Sequence, residues 1–113
     1  METAIKIEAL DELRSLMGDS LDEVLQTFID YVPGQIDELS TAVINDDAEG
    51  VFNLAHKMKS SSSSIGALGL AQMAEQIELI GRAGSTDGTA ELLEKLKGMY
   101  SDAETLLLDQ LKK

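Results

Sequence analysis

Apolar residues recurring at helical spacing constrain this chain more than any other feature. Leu21, Leu25, Phe28, Val32, Ile36, Leu39 and Val43 step by four, three, four, four, three and four, one unbroken stripe. Only a helix brings such positions onto one face, and strand-like alternation is absent along the chain. Pro33-Gly34 falls inside the stripe. Proline lacks an amide and clashes with the preceding turn, which would ordinarily divide the segment in two. The stripe keeps its phase across that point, so the reading is one long helix bent near Pro33.

The other segments obey the same periodicity. A short first helix is predicted from about Glu8 to Met17, with Leu10, Leu13, Leu16 and Met17 on one face and Gly18 ending it. Ser20-Leu21-Asp22-Glu23 fits a capping box at the head of the long helix. Asn45-Asp46-Asp47 makes the next turn, and Asp46 with Glu49 offers a second cap of that type. A third helix, from about Ala48 to Ile65, carries an inward seam of Val51, Ala55, Met58, Ser62 and Ile65. The seam passes through the serines from Ser60 to Ser64, a composition that by itself suggests a flexible linker. Here it marks a thin helix surface open to close approach.

Gly66-Ala67-Leu68-Gly69 reads as a tight corner, followed by a stripe of Leu70, Met73, Ala74, Ile77 and Ile80 that runs to about Arg82. Ala83 to Gly88 is a loop. The last helix, from about Thr89 to Leu111, presents Leu92, Leu96, Met99, Ala103, Leu106 and Gln110, with Leu93, Tyr100, Leu107 and Leu111 beside them. The predicted fold is all-α: an up-down-up-down antiparallel four-helix bundle with a short additional N-terminal helix, a single domain over residues 1–113.

Composition narrows the function. There is no Cys or Trp, so the core is aliphatic, disulfides and thiolate metal sites are excluded, and a lone histidine makes a poor zinc site. A formal net charge of −12 opposes nucleic-acid binding, which rests on Lys and Arg neutralising phosphates. No apolar run approaches the roughly 20 residues that cross a bilayer. Met1-Glu2-Thr3-Ala4 lacks the basic start and apolar middle of a secretory leader. The expectation is a cytoplasmic monomer with no membrane and no nucleic-acid partner.

Against this acidic background His56, the only histidine, stands with Lys57 and Lys59 beside it and small residues after it. At about 100° per residue, His56, Lys59, Ser60 and Ser63 share a face next to the core seam, with Lys57 flanking it. Imidazole combines nucleophilicity with titration near neutral pH, and neighbouring ammonium groups suit an incoming anion. Phosphoryl transfer through the histidine is the chemistry this pattern serves. No Gly-rich nucleotide loop and no kinase signature accompany it, so the chain is expected to carry phosphate without making it from ATP. Ser60 and Ser63 matter through smallness; neither has the base and oxyanion hole that a nucleophilic serine needs.

His56-Lys57-Met58-Lys59-Ser60, then Gly66 and, on the following helix, Gln76-Ile77-Glu78, resembles the histidine-containing phosphotransfer (HPt) domain family. The likeness runs from Leu10 to the final helix. The family usually has glycine where this chain has Ser60, a replacement that keeps the site small. The resemblance implies the same four-helix bundle. It also implies that His56 takes a phosphoryl group from the aspartyl phosphate of a response-regulator receiver domain and passes it, reversibly, to another receiver's aspartate. A hybrid histidine kinase is a further partner implied.

Lys59 would stabilise charge on the phosphoryl oxygens. By its place in the family pattern, Glu78 is the candidate that orients the imidazole; Gln76, about 200° away on the same helix, is the weaker one. Lys57, Ser60, Ser63, Leu13 and Met17 would meet the partner. The chain itself would bind no cofactor, and Mg2+ would belong to the receiver. Two other readings suit a helical bundle: a non-phosphorylated adaptor binding a protein partner through an apolar groove, and a metal or cofactor bundle. The first leaves His56 and its lysines unexplained, and the second needs more inward-facing ligands than one histidine.

Overall fold

The computed structural model describes residues 5–112. Residues 1–4, where the secretory leader was sought, and residue 113 lie outside the described residues. Five helices follow in order: α1 Ile7–Met17, α2 Ser20–Ile44, α3 Ala48–Ser64, α4 Leu68–Arg82 and α5 Thr89–Leu111. Each of α2 to α5 packs on the next and α5 returns to α2, closing an antiparallel four-helix bundle, while α1 lies against α2. Among the described residues no helix is long and apolar enough to cross a membrane.

The long stripe does what its period requires. Leu21, Leu25, Phe28, Val32, Ile36 and Leu39 are buried along α2, and only at the end does Ala42 take the inward place with Val43 at the margin. The helix runs through Pro33 without interruption. Pro33 has no amide to offer the carbonyl of Ile29 one turn back. That carbonyl is met instead from α5, where the Tyr100 hydroxyl lies 3.5 Å away. The same hydroxyl is 3.2 Å from Glu104 Oε2. Burial above all, then the Glu104 charge, pushes the Tyr100 phenol well up from its ordinary pKa.

The α3 seam is buried at all five positions, Val51, Ala55, Met58, Ser62 and Ile65, so the serine run is helix and not linker. Gly66 takes φ +75° at the corner that follows, where a Cβ would lie 3.0 Å from that of Ala9. On α4, Leu70, Ala74 and Ile77 are buried, while Met73 and Ile80 lie at the margin. Buried Gly81 lets α3 and α4 come together: a Cβ there would stand 2.7 Å from the Phe52 amide nitrogen and 2.9 Å from the Ala48 carbonyl oxygen.

Several local expectations are corrected. Leu16 is 76% exposed, since α1 buries a narrow face centred on Leu10 with Leu13 and Met17 half-buried beside it. The Ser20 capping box does not form, because Ser20 is already inside α2 and Asp19 at the cap position makes no side-chain bond to the helix. Arg14 secures that junction by donating to the Gly18 carbonyl at 3.0 Å and to Asp22 Oδ1 at 2.8 Å. The cap of α3 is Asp47, whose side chain accepts from the Gly50 amide at 3.0 Å. Asp46 instead takes φ +54° in the turn and accepts from Thr86 Oγ1 at 2.9 Å.

The core face of α5 is also rotated from expectation. Leu93, Leu96, Tyr100, Ala103, Leu107 and Gln110 are buried, and Leu92, Met99 and Leu106 flank them. Both sets repeat every seven residues, so periodicity alone does not choose between them. At the helix start Thr89 is buried, and its hydroxyl donates to the Thr86 carbonyl at 2.6 Å.

Candidate functional site

Helical phase puts His56 one step round from the buried Ala55, and its side chain is 56% exposed. From α4, the carboxylate of Glu78 reaches it: His56 Nδ1 lies 3.0 Å from Glu78 Oε2. Glu78 is 1% exposed, although its neighbours Gln76 and Leu79 face solvent. Gln76 is therefore no rival to it. A carboxylate at that distance accepts from the ring, which assigns the proton to Nδ1 and leaves the Nε2 lone pair as the free nucleophile.

The other carboxylate oxygen is also engaged. Lys59 Nζ lies 2.9 Å from Glu78 Oε1, an ion pair off the angle of a straight hydrogen bond. Arg82 Nη2 stands 3.6 Å from Oε2, one turn along α4. Burial is the largest single influence on Glu78 and pushes its pKa up. The close polar contacts and charges of Lys59 and His56 together outweigh it and hold the group below the ordinary carboxylate value.

A folded-state pKa below the unfolded one means stabilisation that is complete above the ordinary carboxylate pKa of about 4.3 and is lost as pH falls through the folded value. Glu78→Gln lacks that dependence. On acidification below about pH 4.3 the wild type should lose stability faster than Glu78→Gln, read from urea unfolding at neutral and acid pH. Parallel losses in the two proteins would mean that the ionised carboxylate contributes nothing through its partners.

Phe52 and Arg82 complete the surroundings. The Phe52 ring lies 6.1 Å from the His56 ring, centroid to centroid and 23° from parallel, and the Arg82 guanidinium lies 5.9 Å from the Phe52 centroid. Neither was singled out in the sequence. The signal was present, because Phe52 precedes His56 by four residues and Arg82 follows Glu78 by four, the spacing at which helix side chains meet.

His56, Lys59 and Glu78 thus converge, while the other candidates surround them at a distance. Lys57 is exposed on the opposite flank of α3, in a groove against α2 that Tyr31 and Glu38 also line. Ser60 and Ser63 are exposed and line a shallow depression with Lys59, Leu68 and Gln72. Leu13 borders the Gly66 corner, ten residues and so about 15 Å along from His56. Like Met17, it is half-buried against the core.

Comparison with known proteins bears on the family and the fold. The Hpt domain model matches residues 23–106, a span that holds both His56 and Glu78. The aerobic respiration control sensor proteins ArcB of Escherichia coli O157:H7 and of Escherichia coli strain K12 are each 27% identical over 107 residues. Those alignments cover 93% of this chain and 14% of the relatives' length. The crystal structure of histidine-containing phosphotransfer protein B (HptB) from Pseudomonas aeruginosa PAO1 superposes with a TM-score of 0.90 at 23% identity, covering 99% of this chain and 97% of that one, and so shares the fold. With a family match over most of its length and a bundle shared end to end, this chain belongs to the Hpt domain family.

Proposed function

We propose that His56 is the phosphoacceptor of a phosphorelay, taking a phosphoryl group from the aspartyl phosphate of one receiver domain and passing it to the aspartate of another. The observation that carries this is an exposed imidazole whose Nδ1 is held at 3.0 Å by a carboxylate that is itself 1% exposed. Such a pair fixes the tautomer and the ring plane while leaving Nε2 outward. In the transfer, Nε2 attacks phosphorus in line, the N–P bond forms as the O–P bond breaks, and the donor aspartate leaves as a carboxylate. The phosphoimidazole keeps the proton on Nδ1, where Glu78 balances the positive charge that the ring acquires.

Lys59 serves the phosphoryl oxygens. In the unphosphorylated protein its ammonium is engaged by Glu78, so it turns outward as charge develops there. Lys57, Ser60, Ser63 and the exposed edges of Leu13 and Met17 form the partner face, with the serines small enough to admit a receiver. A hybrid histidine kinase is a further partner of this face. The magnesium that receivers use stays with the receiver.

The test is incubation of the pure protein with a phosphorylated receiver, following acid-labile, base-stable label on this chain. Absence of label with several receivers in the presence of magnesium would favour the non-phosphorylated helical adaptor. Two substitutions separate chemistry from docking. Lys59→Ala should slow transfer at saturating receiver by about tenfold or more while leaving receiver affinity near wild type, as removal of one transition-state charge does. Met17→Glu should weaken affinity with the saturated rate unchanged. The reverse pattern in either variant would reassign that residue.

A further inference from the structure

Glu78 has one more cation than it uses at a time. Lys59 Nζ lies 2.9 Å from Oε1, yet this is the ammonium that must turn to the phosphoryl oxygens. When it leaves, a carboxylate that is 1% exposed in the resting protein loses a charged partner. Arg82 is the reserve. Its Nη2 stands 3.6 Å from Oε2, within ion-pair range but beyond a good hydrogen bond. Its side chain is 63% exposed and so free to move inward.

Two features keep Arg82 close. Its guanidinium rests 5.9 Å from the centroid of Phe52, a cation–π distance. Its neighbour Gly81 lies so near the backbone of Ala48 and Phe52 that no Cβ would fit between them, which keeps the Arg82 backbone close to α3. The guanidinium fork can then bridge a carboxylate in a way a single ammonium cannot. We infer that Arg82 is a positioning residue that takes over the Glu78 carboxylate when Lys59 turns to the phosphoryl group. This rests on the reading of His56 as the phosphoacceptor.

A thermal-unfolding cycle tests the handover without any phosphate. Arg82→Gln alone should barely move the melting temperature, because Lys59 still serves Glu78. In a Lys59→Ala background Arg82 is already on duty, so adding Arg82→Gln should lower the melting temperature beyond the sum of the single shifts by about 4 °C or more. Arg82→Lys in that background should restore part of the loss. Single shifts that simply add would overturn the handover.

A second arm uses phosphoramidate, a small phosphoryl donor that needs no receiver. Phosphorylated Arg82→Gln should melt below phosphorylated wild type while the unphosphorylated pair coincide. Coincidence in both states would equally overturn the proposal. Failure of His56 to take label from phosphoramidate is a failure of the phosphoacceptor reading; an additive cycle is a failure of the handover alone.

Discussion

Replacing His56 with Gln should abolish label uptake from a phosphorylated receiver while the bundle melts as before. The chemical loss is total because the chain has no second imidazole, and no serine near the site has a base to activate it. The fold is spared because the side chain is 56% exposed, and Glu78 keeps Lys59 as a partner when the ring is gone. A change within about 0.5 kcal/mol is expected for such a surface position. Label counting beside a far-ultraviolet melt of the same preparation checks both halves. Label retained on the variant would place the acceptor elsewhere, and a collapsed melt would make His56 a structural residue.

The largest effect on the fold is expected from Gly81→Ala. In a helix interior this exchange ordinarily stabilises, since alanine has the better propensity by about 1 kcal/mol. At Gly81 the added Cβ meets backbone on the facing helix, 2.7 Å from the Phe52 nitrogen and 2.9 Å from the Ala48 oxygen. Backbone cannot rotate away as a side-chain tip can, so α3 and α4 must part, and a net loss of about 1–3 kcal/mol is expected. Gly98→Ala on α5 is the control, since nothing lies within 4 Å of a Cβ there. It should stabilise by about 0.4–1 kcal/mol. Denaturant unfolding of the two variants reads the contrast, and equal signs would mean that the α3–α4 approach is not limited by Gly81. Because Glu78 and Arg82 share that stretch of α4, Gly81→Ala should also disturb the imidazole's partner.

Helix number, order and most boundaries follow directly from apolar spacing. The α3 seam was legible through a serine run because Val51, Ala55, Met58 and Ile65 hold its phase on either side of Ser62. The face of α5 was not, because Leu92-Met99-Leu106 and Leu93-Tyr100-Leu107 are equivalent in period and only the packed neighbours distinguish them. The caps failed for a related reason. Two aspartates in succession, Asp46 and Asp47, both suit a helix start, and a tertiary contact from Thr86 takes the first, leaving the second as cap.

At the site, His56 and Lys59 could be placed on one face by phase, and Glu78 came from a family likeness. Its burial could not be read from the sequence. A carboxylate among Gln76 and Leu79 looks like a solvated helix residue until α3 brings a lysine and an imidazole to it. Phe52 and Arg82 lay at readable spacings, yet what joins them is the glycine-mediated approach of two helices, a distance that no one-dimensional pattern encodes.

Pro33 has a meaning for specificity as well as for local geometry. The Ile29 carbonyl it frees and the Tyr100 hydroxyl that meets it fix α5 against α2 at one height. Sliding either helix by a turn would part that carbonyl from that phenol, where Leu-on-Leu contacts would otherwise tolerate the shift. A residue that breaks helices elsewhere therefore acts here as an alignment mark, distinguishing one register from its near-degenerate neighbours.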